Sequence, residues 1–375
     1  MSDLHPTPLH TRIAELNTRN AWVERNGFTL ARDLGDVAGE AVAARFSVVM
    51  ADISWRWRVT LEGVRAAEAI GRLFTRDASA LVPGAGLKAL WLNDSGAVRG
   101  AGLVTRLGET RFLLAASAPD REWIFDAAPG FDVVASDVTA LTAGIALVGP
   151  YAAKLLAGAG LDPALELLAS RSDDWRGIQV TLSRWGEHGG YELWCSSDEA
   201  EIAWDRLVKA GSAFELRVAG LDAMDILDLE RGVARPGRDY RTALDGVSPE
   251  PEPASLALER LIDETHLEFN GRSRWLAARA KVKWALKGLV FDGGIAAPHA
   301  PVMRGSIAVG RTLGSVYSPA LRRPIALAQL DAAGTAPGAK LFVLLPTSAD
   351  APKERRANVE IVDLPFLPNP DPIPA

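Results

Sequence analysis

A change of character after Lys281 limits most strongly how this chain can fold. Beyond that point short apolar runs such as 288–291 and 341–345 are spaced by Gly/Pro turns, the rhythm of a separate all-β module. Ahead of it, periodicity predicts helices over 11–19, 36–46, 64–74, 152–156, 199–210 and 220–232, with apolar residues at helical spacing. Strands are predicted over 48–53, 56–61, 87–93, 102–105, 111–116, 145–148 and 178–183. The run 56–61 (RWRVTL) alternates polar and apolar residues as a half-buried strand does. Asp94-Ser95-Gly96 is a hairpin signal between its flanking strands. The Pro/Glu-rich stretch 245–253 reads as an exposed connection or a lid. At about 150 residues per domain, the 375 residues make two or three domains.

Composition narrows the function. Apolar residues at 48% and charged residues at 23% allow a sizeable core. A formal charge of -6 gives no attraction for phosphate backbones, so nucleic acid is not an expected partner. The N-terminus lacks the apolar run of a secretory signal and no stretch of about 18 apolar residues occurs, so a soluble, cytoplasmic protein with no membrane partner is expected. One cysteine, Cys195, excludes an internal disulfide and a thiolate cluster. The five histidines lack zinc-ligand spacing apart from the terminal His5/His10 pair, so no metal is expected. The loop Gly186-Glu187-His188-Gly189-Gly190 leads into a strand-like segment and not a helix, which argues against a dinucleotide site, and no G-x-S-x-G elbow is present. Eleven tryptophans against four tyrosines point to an aromatic-lined pocket.

Several segments, in order, resemble the glycine-cleavage T-protein (aminomethyltransferase) family. They are Met50-Ala51-Asp52-Ile53-Ser54, Leu92-Asn93-Asp94-Ser95-Gly96, Gly190-Tyr191-Glu192-Leu193, the run 219–232, Phe269-Asn270-Gly271-Arg272, Tyr317-Ser318-Pro319-Ala320-Leu321 with 325–328, and Leu364-Pro365-Phe366. The resemblance implies an α+β fold, a three-domain cloverleaf around a central channel with a C-terminal β-barrel-like domain. The implied units are a discontinuous α+β domain (1–50 and 140–250), a second α+β domain (51–139), a connection (251–280) and a β-rich domain (281–375). In that family the channel holds tetrahydrofolate, which accepts a one-carbon unit.

Several of the family's folate-contacting positions differ here. The paired carboxylates after the hairpin are Gly100 and Ala101, His188 stands where the family's loop carries Glu, and Met224 and Asp228 replace arginines. Each missing partner for a buried pterin group costs about 1 to 3 kcal/mol, so no cofactor is expected.

Glu187 and His188, a carboxylate and an imidazole side by side, are the candidate acid/base pair. Arg238 is the third candidate catalytic group, able to stabilise a phenolate, and Arg235 a candidate grip on substrate. Trp55, Trp91, Trp185, Tyr191, Tyr240 and Asn93 are the other candidate substrate-binding residues, and a small aromatic molecule is the expected partner. The leading expectation is a folate-independent lyase that releases formaldehyde from a hydroxymethyl group of a phenolic, lignin-derived aromatic. The alternatives are a tetrahydrofolate-dependent methyl- or aminomethyltransferase, such as an aromatic O-demethylase, and a non-catalytic binding protein of the same fold.

Overall fold

The computed structural model describes residues 4–184, 190–247, 251–331, 335, 338, 340–346 and 355–367. Three bodies of structure meet at its centre, two open sheets with helices and one closed barrel. The first sheet has six strands in the order Ser170–Asp174, Gln179–Ser183, Tyr191–Ser196, Thr142–Val148, Val49–Asp52, Arg217–Val218. The second has five, in the order Gly86–Leu92, Val98–Arg106, Arg111–Ala116, Trp57–Glu62, Val134–Asp137. It is formed by chain inserted between two neighbouring strands of the first. Ala285–Phe291, Arg323–Leu330, Ile307–Ser318, Pro301–Arg304, Leu341–Leu345 and Arg355–Val362 close the barrel in that order. The change of character after Lys281 thus becomes a barrel, and the fold is the α+β cloverleaf that the resemblance implied.

Local rules explain the elements. Asp36 caps the helix Val37–Phe46, its carboxylate accepting the Gly39 N–H at 2.9 Å. The helix Ala152–Ala159 stops at Gly160, whose φ of +89° a side chain would resist. Sequence periodicity missed the strand Ser170–Asp174 and the helix Arg272–Arg279 because neither carries an apolar repeat; the helix buries only Trp275. It also missed a small N-terminal sheet of His5–Pro6, Phe28–Ala31 and Trp22–Arg25. Among the described residues no helix is long and apolar enough to cross a membrane.

The strand Trp57–Glu62 departs from the half-buried reading in an informative way. Trp57, Val59 and Leu61 enter the core of the five-stranded sheet, as alternation requires. The opposite face, Arg56, Arg58 and Thr60, is buried too, against the strand Tyr191–Ser196 of the other sheet. A polar face therefore forms the seam between the two sheets.

The hairpin predicted at Asp94-Ser95-Gly96 forms and has a second use. Asn93 Oδ1 accepts the N–H groups of Ser95 (3.1 Å) and Ala97 (2.9 Å). The turn packs so closely on the connection to the barrel that a Cβ at Gly96 would stand 2.5 Å from the Trp275 nitrogen. One at Gly271, where φ is +75°, would stand 2.3 Å from the Asn93 carbonyl oxygen. Gly271→Ala is expected to cost about 2 to 3 kcal/mol, strain and clash together. Gly27→Ala, at φ +82° with nothing within 4 Å of the new carbon, is expected to cost about 1 kcal/mol. Urea unfolding of both variants checks this, and equal losses would remove the steric contribution.

Candidate active site

The helix Leu221–Glu230 lies where the three bodies meet and carries four acidic residues, Asp222, Asp225, Asp228 and Glu230. Asp228 and Glu230 are each 1% exposed, a burial that carboxylates tolerate only when paired. Arg235 binds Asp228 through two nitrogens, at 2.6 and 2.7 Å. Arg238 spans three acids, reaching Asp239 at 2.5 Å, Asp225 at 3.2 Å and Asp228 at 3.6 Å. These anions hold its pKa above the ordinary arginine value against the opposing effect of burial. Arg45 reaches Glu230 at 2.6 Å, and Ser318 of the barrel donates to the same carboxylate at 2.5 Å.

Two hollows adjoin this lattice, and Arg56 and Arg235 line both. The larger, about 240 Å³, is walled by Leu103, Leu258 and Leu261 with Ala101, Gly102, Ala115 and Ala116. Its ionisable lining is cationic throughout: Arg56, Lys88, Arg235 and Arg260, with no carboxylate among the described lining residues. Arg56 in turn bonds Glu192, whose other oxygen accepts the Trp194 indole N–H at 3.2 Å. The smaller hollow, about 30 Å³, has Asp52, Trp55, Met224 and Asp225 in its wall.

The structure brings together only part of the predicted site. Trp55 lies in the small hollow with Arg235, its ring 5.0 Å below the Arg25 guanidinium. Arg238, expected to act on substrate, is held instead by its three carboxylates and lines neither hollow. Trp91 is a core side chain, 0% exposed, with its N–H on Asp120 at 2.9 Å and its ring edge-on to Phe74. Tyr191 is likewise core, on the face of its strand that meets the helices behind the six-stranded sheet. Tyr240 is buried in a third cluster beside the barrel, where burial and then Asp239 raise its pKa above the ordinary tyrosine value. Asn93 serves the hairpin turn described above. Trp185, Glu187 and His188 fall outside the described residues.

Sequence reasoning missed Arg56, Lys88 and Arg260, each placed in the cavity by its strand or turn. It also missed Asp52, at the end of the strand Val49–Asp52. Burial raises the Asp52 carboxyl above the ordinary carboxylate range, although Thr7 Oγ1 (2.6 Å) and the Ser54 N–H (2.8 Å) both donate to it. Arg-x-Arg at alternate positions of a strand between apolar neighbours was the available signal, since two arginines on one strand face need either solvent or an acid opposite.

By fold this is a T-protein-like cloverleaf with a cation-lined cavity at its centre. The family model described as the GCVT N-terminal domain matches residues 9–252, and the chain belongs to that family. An aminomethyltransferase of Moorella thermoacetica is 28% identical over 380 residues, 99% of this chain and 100% of the relative. One from Thermus thermophilus is 30% identical, covering 88% and 93%. A trimethylamine-oxide aldolase of Ruegeria pomeroyi is 28% identical over 87% of this chain and 43% of its own length. The crystal structure of the glycine cleavage system aminomethyltransferase T from Bartonella henselae superposes with a TM-score of 0.85 at 22% identity, covering 98% and 99%.

Two outcomes follow from the lattice. Arg238→Met leaves three acids short of a cation and is expected to cost about 3 to 5 kcal/mol of stability, read by urea unfolding; a loss below 1 kcal/mol would make the cage ornamental. Asp52 binds its proton more tightly folded than unfolded. Its contribution is therefore complete below the unfolded-state pKa and is lost as pH rises through the folded-state value. Asp52→Asn is expected to gain stability relative to the parent as pH climbs through that window, and parallel unfolding curves across it would contradict this.

Proposed function

We propose that this chain is a formaldehyde-releasing carbon-carbon lyase that acts without folate on a hydroxymethyl group of a phenolic, lignin-type aromatic. The observation that carries the reading is the larger cavity, apolar in its walls and cationic in all its ionisable lining. An anion with an aromatic body suits both properties. A dry apolar cavity of about 150 Å³ holds a benzene ring, so about 240 Å³ accommodates a ring with substituents. A trimethylamine-oxide aldolase, of which the chain matches 43%, stands among the relatives and is consistent with a lyase reading.

The same lining argues against a pterin. Ala101, one of the two positions where the family carries a carboxylate, stands in the wall, Met224 replaces an arginine one hollow away, and both oxygens of Glu192 are engaged by Arg56 and Trp194. Pterin donors would meet no carboxylate among the described lining residues of that cavity, so no step is routed through folate.

The reaction is a redox-neutral cleavage, R–CH₂OH giving R–H and CH₂O. A base takes the hydroxyl proton, the C–O bond becomes C=O as the carbon-carbon bond breaks, and the electron pair stays on the carbon left behind as a carbanion conjugated with the ring. Arg56, Lys88 or Arg235 stabilises that charge, and the proton returns to the carbon left behind. Glu187 and His188 are the proposed base and acid, with Trp55 at the adjoining hollow; in this reading Arg238 positions Asp225 and Asp228.

Purified protein incubated with a hydroxymethyl-bearing phenol is expected to release stoichiometric formaldehyde with or without tetrahydrofolate. Turnover only in its presence would establish the transferase alternative. Lys88→Met is expected to raise KM for the phenolic substrate about tenfold, about 1.4 kcal/mol of lost charge attraction, while an uncharged analogue is unaffected.

A further inference from the structure

The seam between the two sheets holds a third hollow, of about 320 Å³, under the same face of the chain at Trp57–Glu62 that carries Arg56. Arg58 lines it and is 7% exposed. Its guanidinium lies 4.0 Å over the Trp194 ring. Its buried Nε has no hydrogen-bond partner, and among the described residues no carboxylate makes a salt bridge with the side chain, Glu192 acting on it only through longer-range charge attraction. Glu192, the acid whose charge acts on Arg58, is already held by Arg56 and by the Trp194 indole. Burial pushes the Arg58 pKa down to about 10, leaving it charged at neutral pH. Around it stand hydroxyls, among them Thr60, Thr105, Thr181 and Ser183, and no acidic residue is in the lining. Arg111, also in the wall, adds a second cation and pairs with Glu62 at 3.6 Å.

A buried guanidinium with no acid in contact is an expensive arrangement, and here the open side is a cavity and not packed protein. We infer that this hollow is a binding site for a small carboxylate, which the Arg58 fork takes bidentately while the surrounding hydroxyls donate to its oxygens. Trp194 beneath fixes the guanidinium plane by cation–π contact, so the fork is already oriented before the ligand arrives. This hollow and the cavity of the proposed reaction share no lining residue, and the Arg56–Glu192–Trp194 chain runs from the wall of one to the wall of the other. The ligand is therefore a carboxylic acid bound apart from the one-carbon substrate, and the inference does not depend on what reaction the cavity performs.

Calorimetric titration with sodium acetate, at neutral pH and fixed ionic strength with chloride as the comparison anion, tests this. Saturable binding of one carboxylate per chain is expected, weakened at least tenfold by Arg58→Gln and unchanged by Lys88→Met. Loss of binding in Lys88→Met would place the carboxylate in the cavity of the proposed reaction and overturn the assignment. No saturable binding to the parent, or equal binding to Arg58→Gln, would do the same. Thermal unfolding keeps the test independent of a poorly folding variant. Arg58→Met, relieved of a buried uncompensated charge, is expected to melt no lower than the parent without ligand and to ignore acetate, which raises the parent's Tm. A melting temperature of Arg58→Met that falls below the parent's in ligand-free buffer, or that rises with acetate, would overturn it.

Discussion

The pairing of acids on one helix with arginines from elsewhere in the chain is the constraint on which this molecule rests. Leu221–Glu230 presents Asp222 to Arg32, Asp225 to Arg25 and Arg238, Asp228 to Arg235 and Arg238, and Glu230 to Arg45. Those arginines come from the N-terminal sheet and the residue just after its strand Phe28–Ala31, from the helix Val37–Phe46 and from the segment after the acidic helix itself. Ser318 adds the barrel. Buried ion pairs contribute little net stability over apolar packing of the same shape, yet breaking one is costly. Such a lattice acts mainly as a set of mutual addresses, in which a misplaced body leaves a carboxylate without its cation. The position of the cavity is inherited from it, because Arg235 belongs at once to the lattice and to the cavity wall.

The strand Trp57–Glu62 plays the corresponding part between the sheets. Its apolar face completes one core, and its arginine face meets Glu192 and Trp194 of the other sheet. A seam built from apolar side chains would close completely. Guanidinium groups with long stems instead hold the sheets together while leaving hollows on either side of the Arg56–Glu192 pair. The room for small molecules in this chain is thus a by-product of how its sheets are joined.

Much of the architecture was legible in the sequence because it rests on local rules. The Gly/Pro spacing after Lys281 becomes the barrel, the Asp94-Ser95-Gly96 turn becomes a hairpin, and the helix 220–232 becomes Leu221–Glu230. The site was legible only in part. Trp91 and Tyr191 sit beside motif positions in sequence, yet strand alternation turns their rings into cores. Arg238 looked like a substrate group because its three acidic neighbours are partly remote in sequence. Lys88 and Arg260 gave no signal at all, since what makes them important is a cavity assembled from residues 56 to 261, a relation no local pattern encodes.

The register of the six-stranded sheet has a further consequence. Asp52 and Ile145 lie opposite each other on neighbouring strands, about 5 Å apart in the hydrogen-bonding direction. The roughly ninety residues between them, which build the whole five-stranded sheet, therefore leave and rejoin the host sheet at almost the same point. To the host this unit is a very long hairpin loop. Lengthening or shortening it changes no host register, so the side of the cavity that it contributes is free to diverge while the helix lattice on the other side stays fixed.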